Sequence, residues 1–192
     1  GDVYKRQILI APSWQPENII DLCIEQILDK YKNTSYEVIV RPHPQQVRHQ
    51  MERFVEMQER YAKDDNITIQ TDFSSNSTVM DADLLITDWS DISFEYAFTT
   101  LKPVLFIDTP MKIMNPEYDK IEQKPINVTL RNVIGKAISV NDIDNILEIS
   151  TDMLKQKDMY RKQIADAREK HIFNIGKSRI LSGKYIMKRL ME

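Results

Sequence analysis

Short apolar runs alternate with longer amphipathic stretches through the first half of the chain. Apolar runs that end in polar turns are typical of strands buried on both faces of a sheet. The stretches between them repeat apolar residues at the i, i+3, i+4 spacing of helices. The pattern predicts strands at residues 8–11, 36–40, 67–70, 84–86 and 104–107. Strands that alternate with helices predict a Rossmann-like α/β fold, a mostly parallel sheet with helices on both faces.

The clearest predicted helix runs from Ile19 to Tyr31, and the next has its apolar face between Val47 and Met57. Residues 109–131 contain three prolines and no clear period, which predicts a long loop of the kind that is commonly functional. A last short strand is expected at 134–138. The remaining predicted helices are at 78–82, 94–98, 139–154, 157–171 and 177–191.

Composition excludes several classes of function. The 192 residues carry 26 basic and 29 acidic side chains, so no broad positive field indicates nucleic acid as a partner. The single Cys23 cannot form an intrachain disulfide, and with three scattered histidines it offers no zinc spacing. The glycine-rich fingerprints of dinucleotide sites and P-loops are missing, as is the G-x-S-x-G elbow of hydrolases. The residues therefore give no indication of a metal site or of a cofactor.

Polar residues follow the predicted strands where each one ends: Ser13, Arg41, His43, Thr71, Asp72, Asp88 and Ser90. The carboxyl ends of parallel strands share one edge of a sheet, and open α/β sheets bind ligands there. We therefore expect these side chains to converge on one cleft, with Ser13, Asp72 and Asp88 in supporting, ribose-binding or base-binding roles.

The segment Arg41-Pro42-His43-Pro44 holds an imidazole between two prolines, which restrict the backbone on both sides of it. Arg41 supplies a planar fork suited to phosphate. His43 could serve as a general base or acid, or as a cationic donor to a diphosphate. A turn in which His43 bonds a backbone carbonyl is the structural alternative.

The stretch from Asp83 to Asp108 combines a buried strand, a polar elbow, a helix and a second strand. Ser90 or Asp91 is suited to cap the helix, whose first N–H groups favour a phosphate. The carboxylate of Asp88, at a buried strand end, needs a partner and could orient Ser90, Arg41 or His43. Glu95 could accept from a ribose hydroxyl or be an ordinary solvated charge.

The motifs ILIAPSW, IVRPHP, ADLLITDWSDISFEYA and KPVLFID together resemble those of the CDP-glycerol glycerophosphotransferases, the teichoic acid polymerase and primase-like enzymes. The resemblance implies the donor-binding half of a GT-B fold and a transfer of glycerol phosphate, or a related polyol phosphate, from a CDP-linked donor. It implies that His43 acts in catalysis at the donor phosphate and that Ser90 and Asp91 begin the helix that holds the diphosphate. Glu95 corresponds to an acidic position in that helix.

Two departures from the family pattern affect these expectations. Asp91 stands where the family usually has a second serine, and Trp89 replaces a tyrosine. A carboxylate beside a diphosphate is unfavourable unless it points away or caps the helix, so Ser90 and the backbone N–H groups are the stronger phosphate ligands.

On the same resemblance, residues 8–192 are expected to be the C-terminal half of a larger protein whose N-terminal acceptor half is absent. Residues 1–7 are polar and run abruptly into Ile8-Leu9-Ile10, and we expect them to be a non-native or linker segment. The acceptor is then a polymer or a lipid-linked chain, and the location is the cytoplasmic side of the plasma membrane. The basic, amphipathic stretch 184–191 could contact a membrane surface or, more simply, the absent half. Two alternative functions are a GT-B glycosyltransferase or epimerase that uses a UDP-sugar, and a non-catalytic nucleotide-binding module.

Overall fold

A computed structural model describes residues 5–192. Its centre is a six-stranded sheet in which all neighbouring strands are parallel, in the order β3-β2-β1-β4-β5-β6. The predicted Rossmann-like architecture is confirmed. The strands are β1 (Gln7–Ile10), β2 (Glu37–Val40), β3 (Ile67–Ile69), β4 (Leu84–Thr87), β5 (Val104–Asp108) and β6 (Gly135–Ser139).

The helices connect and cover the strands. They are α1 (Ile19–Leu22), α2 (Ile24–Tyr31), α3 (Pro44–His49), α4 (Met51–Arg60), α5 (Ser77–Asp81), α6 (Ile92–Thr100), α7 (Ile126–Thr129), α8 (Arg131–Ile134), α9 (Ile146–Lys155), α10 (Lys157–His171) and α11 (Ser178–Met191). Short 3-10 turns span Tyr118–Lys120 and Val140–Asn145. The predicted loop 109–131 is thus mostly irregular, with two short helical turns inside it.

The predicted helix 139–154 begins as the 3-10 turn Val140–Asn145 and becomes α-helical only in α9. Two other helices that the pattern predicted as continuous are each broken once. Cys23, at φ −153°, separates α1 from α2, and Gln50, at φ −132°, separates α3 from α4. The break at Gln50 changes which residues of the predicted second helix, now α3 and α4, face inward. Val47, Phe54 and Met57 are buried, whereas Met51 and Val55 are exposed. Helical spacing alone could not show these breaks, because no proline or glycine marks them.

The core lies on both faces of the sheet. Every residue of β4 is buried, as expected for a central strand, and so are Ile8, Leu9 and Ile10 of β1. Strand β1 begins one residue before the predicted boundary. Gln7 pairs with Glu37, and the N–H of Gln7 donates to Asp83 Oδ2 at 2.9 Å. Part of the predicted segment 1–7, namely residues 1–4, lies outside the described residues.

The strand order creates a crevice between β1 and β4. From β1 the chain moves outward to β2 and β3, and from β4 it moves the opposite way to β5 and β6, so the two central strands are the point where the direction reverses. Open sheets of this order bind ligands outside the carboxyl ends of these strands. Ala11 N–H donates to Ile86 O at 3.0 Å and Thr87 Oγ1 to Ala11 O at 2.6 Å, which holds the two ends together.

The last helix, α11, stands apart from this core. All of its residues are exposed, among them Ile180, Ile186, Met187 and Leu190. In the part of the chain that the structure describes, no helix combines the length and the apolar character needed to cross a bilayer.

Candidate functional site

The crevice is built on the carboxylate of Asp88, which is completely buried at the end of β4. Oδ1 accepts from the N–H groups of Ser13 and Trp89, each at 2.7 Å, and Oδ2 accepts from Ile19 N–H at 3.2 Å. Three backbone donors satisfy a buried carboxylate that would otherwise be costly. The expectation that Asp88 orients the side chain of Ser90, Arg41 or His43 is wrong, because it fixes the backbone of two loops.

Arg131 supports the same elbow, and the sequence analysis gave it no role. Its guanidinium, 5% exposed, donates through Nη1 to Asp88 O at 2.8 Å and pairs with the carboxylate of Asp108. It also lies 3.9 Å from the ring centroid of Trp89 and 4.4 Å from that of Phe106. Burial lowers the pKa of Arg131, and Asp108 opposes that effect. At the end of a polar loop, this arginine gave no sequence signal.

Above this support a cleft of about 490 Å³ opens along the carboxyl edge of the sheet. Its walls come from the loops after β1, β2, β3 and β4, from α5 and α6, and from the loop after β5. It brings together six of the predicted site residues: Ser13, Arg41, His43, Ser90, Asp91 and Glu95. Trp14, Phe73, Asn76 and Lys112 also belong to its polar and aromatic lining.

The helix α6 begins in this cleft without a side-chain cap. Asp91 occupies the N-cap position, but its side chain accepts no bond from the helix, so the predicted capping by Ser90 or Asp91 is wrong. The carbonyl of Ser90 accepts instead from N–H and Oγ of Ser93 at 3.2 and 2.9 Å. Within residues 5–192, the N–H groups of Ser90, Asp91 and Ile92 have no acceptor. Unpaired N–H groups at a helix start attract an anion.

His43 caps α3 with its own ring. Nδ1 accepts from Gln45 N–H at 3.1 Å, and Pro44 fills the first helical position, where an N–H would be unpaired anyway. The predicted alternative of a bond to a backbone carbonyl is wrong. Trp14 stacks on the imidazole with centroids 5.9 Å apart and planes inclined by 12°, and it stacks on His49 as well. Burial, with a smaller contribution from Lys112, lowers the pKa of His43.

Arg41 forms one wall of the cleft. Nη1 donates to Ser75 O at 2.9 Å, Nη2 donates to Asn76 Oδ1 at 3.2 Å, and the guanidinium lies 5.4 Å from the ring centroid of Phe73. Burial lowers its pKa, and Asp72 opposes that effect. The guanidinium of Arg41 therefore holds the loop after β3 in place, and its positive charge remains at the cleft.

Asp72 does not line the cleft. Its exposed carboxylate accepts from N–H and Oγ of Ser74, each at 2.9 Å, and these bonds hold its pKa below the ordinary value. The structure therefore uses Asp72 to form a local turn beside Phe73, and it does not bring the carboxylate together with the other predicted site residues.

Two cleft residues have features that point to a ligand. The hydroxyl of Ser13 is buried, yet in the described part of the chain it has no hydrogen-bond partner. Lys112, in the loop after β5, adds a positive charge that the sequence analysis missed. Glu95 lies exposed on the α6 wall.

Among residues 5–192, no group of three or more His, Cys, Asp or Glu side chains could hold a metal ion.

Solved structures that resemble this fold include glycosyltransferases. Acinetobacter baumannii MurG matches 85% of the chain with a TM-score of 0.54 and 15% identity, and the chain spans 48% of MurG. The C-terminal domain of a group 1 glycosyl transferase (LpcC) from Francisella tularensis matches with a TM-score of 0.54 and 14% identity, covering 87% of this chain and 86% of that one. The match to the C-terminal CMP-Kdo binding domain of Acinetobacter baumannii WaaA covers 84% of this chain and 89% of that one. Its identity is 10% and its TM-score is 0.51.

At these identities the likeness establishes the fold: the chain has the architecture of one half of a GT-B glycosyltransferase. No curated protein sequence matches it. The sequence model of the CDP-Glycerol:Poly(glycerophosphate) glycerophosphotransferase family matches residues 2–174, and the chain belongs to that family.

Proposed function

We propose that this chain binds the donor in the transfer of glycerol phosphate, or a related polyol phosphate, from a CDP-linked donor to a cell-wall polymer or a lipid-linked acceptor. The observation that carries the proposal is the start of α6, where three neighbouring residues line the cleft and, within residues 5–192, their N–H groups have no acceptor. Family membership supports a CDP-linked donor.

The reaction on this proposal is a displacement at phosphorus. A hydroxyl oxygen of the acceptor forms a bond to the phosphorus that carries the polyol, and the bond from that phosphorus to the bridging oxygen breaks. CMP leaves with the bridging oxygen and the negative charge, and the proton of the acceptor hydroxyl passes to solvent. The α6 N–H groups, Lys112 and His43 lie where they can stabilise that charge.

The other cleft residues have positions that fit a nucleoside diphosphate. The unpaired hydroxyl of Ser13 and the carboxylate of Glu95 can bond ribose hydroxyls, and Arg41 contributes charge from the opposite wall. Asp91 is the exception. Without a capping bond its carboxylate adds a negative charge beside the phosphates, and we expect it to weaken binding.

Calorimetric titration of the chain with CDP, CMP and UDP tests the proposal. We expect CDP to bind more tightly than UDP, and Ser90→Ala to weaken CDP binding. Ser182→Ala, an exposed serine on α11, is the matched control and should bind like the parent. A folded chain that binds no cytidine nucleotide contradicts the proposal. Preference for UDP supports a UDP-sugar enzyme, and binding without transfer by the complete protein supports a nucleotide-binding module.

We extend the proposal to the surroundings of the domain. Helix α11 exposes apolar side chains beside the basic Lys184, Lys188 and Arg189, a combination that anionic lipid attracts. Contact with an acceptor-binding half would cover the same side chains. Flotation with anionic and neutral vesicles separates the two, because only membrane contact predicts capture that depends on anionic lipid and is lost in high salt.

A further inference from the structure

The two ring nitrogens of His43 have different surroundings. Nδ1 accepts a hydrogen bond from Gln45 N–H at 3.1 Å, so Nδ1 carries a lone pair and no proton. A neutral imidazole has one N–H, which must then be on Nε2. Within residues 5–192, Nε2 of His43 has no hydrogen-bond acceptor, and His43 lines the cleft.

Protonation of Nδ1 is opposed by the same arrangement. A proton there would place two N–H groups against each other and would remove the cap of α3. Partial burial and the positive charge of Lys112 also disfavour the imidazolium and lower the pKa of His43. The ring is therefore neutral at pH 7.5, with its proton on Nε2.

The direction of the ring is fixed as well. His43 lies at φ −62° and ψ 139°, the conformation that a following proline favours, and it is preceded by Pro42. Trp14 stacks on the imidazole at a centroid distance of 5.9 Å. The backbone, the cap bond and the stacked indole together leave Nε2 as the ring atom available to a ligand.

We propose that His43 acts in this cleft only as a hydrogen-bond donor, through Nε2–H, to a phosphate oxygen of the nucleotide donor, and that it takes no proton from the attacking hydroxyl. The identity of the ligand rests on the proposed function, whereas the tautomer is a property of the chain alone. The proton stays on Nε2 throughout, and the proton of the acceptor hydroxyl passes to solvent.

Long-range nitrogen–proton NMR of the chain labelled with 15N-histidine at pH 7.5 tests the tautomer directly. We expect a protonated, pyrrole-type Nε2 and an unprotonated Nδ1 for His43, assigned by the signals that disappear in His43→Asn. A protonated Nδ1, whether in the other neutral tautomer or in an imidazolium, would falsify the proposal whatever nucleotides the chain binds.

Two variants test the donor role. In His43→Asn, the side-chain oxygen takes the place of Nδ1 and keeps a cap on α3. In His43→Gln, the longer side chain places an amide N–H donor near the position of Nε2. We expect His43→Asn to lower CDP affinity about tenfold and His43→Gln to remain within about threefold of the parent. Equal CDP affinity in the two folded variants would overturn the donor role. No CDP binding by the parent chain would instead overturn the proposed function and leave the tautomer as measured.

Discussion

The carboxylate of Asp88 accepts a hydrogen bond from the backbone N–H of Ser13 at 2.7 Å, across the reversal point of the sheet. The bond joins the loop after β1 to the elbow after β4, two segments that lie 75 residues apart in sequence. Because both segments line the cleft, its shape depends on this buried carboxylate as much as on the residues that face the ligand.

Replacement of Asp88 by Asn should destabilise the chain by about 2–4 kcal/mol, because an amide cannot serve as acceptor for all three N–H groups. Urea unfolding followed by circular dichroism measures the loss. Asp72→Asn is the matched control, since within residues 5–192 that exposed carboxylate bonds Ser74, and it should cost much less than Asp88→Asn. Equal effects of the two substitutions would contradict the role of Asp88.

Arg131→Met should also destabilise the chain, by about 2–3 kcal/mol, because it leaves Asp88 O and the carboxylate of Asp108 without their donor. We expect Arg131→Lys to recover little, since an ammonium cannot stack flat on Trp89. The free energy of unfolding of these variants is measured in urea. The control is Arg179→Met, which replaces an exposed arginine of α11. A stable Arg131→Lys chain would show that charge alone matters at this position.

Cys23 should resist alkylation in the folded chain. The thiol is buried between α1 and α2, and burial, with a smaller effect of Asp88, raises its pKa to about 12. Since the thiolate is the nucleophile, iodoacetamide at pH 8.5 should react slowly without denaturant and fast in urea. Mass spectrometry follows the labelled fraction. Rapid labelling of the folded chain would mean that Cys23 is accessible.

The low pKa of His43 predicts a pH-dependent stability. The folded pKa lies below the ordinary value of about 6.5, so the unfolded chain binds more protons as the pH falls through that region. The free energy of unfolding should therefore decrease from pH 7.5 to pH 5.5. His43→Asn should show a smaller decrease over this window, in which carboxylates titrate little. Identical slopes for the two chains would mean that folding does not shift this histidine.

Asp91→Ser should bind CDP about threefold more tightly than the parent chain, because it removes a charge that repels the phosphates by about 0.7 kcal/mol. Asp65→Ser, an exposed carboxylate in a turn outside the cleft lining, is the control and should leave the affinity unchanged. Calorimetry at low ionic strength gives the comparison. Weaker binding by Asp91→Ser would mean that the carboxylate contacts the ligand favourably.

Periodicity predicted the sheet and the placement of most helices because buried strands and amphipathic helices repeat locally. It also predicted that Ser13, Arg41, His43 and Ser90 converge, because parallel strands end at one edge. The strand order and the partners of Asp88 depend on pairing between distant segments, which local patterns do not encode. Lys112 belongs to the loop after β5 and Arg131 begins the short helix α8 that follows it, and no period in this segment identifies a residue that turns inward or toward the cleft.

The most direct test of the account is the response of the α6 amides to the donor nucleotide. Backbone nitrogen–proton spectra of the 15N-labelled chain, recorded as CDP is added, report on each N–H separately. The account predicts that the signals of Ser90, Asp91 and Ile92 shift the most, whereas those of α11 stay in place. Saturated CDP binding that leaves these three amides unmoved would contradict the assignment of the diphosphate site to the start of α6.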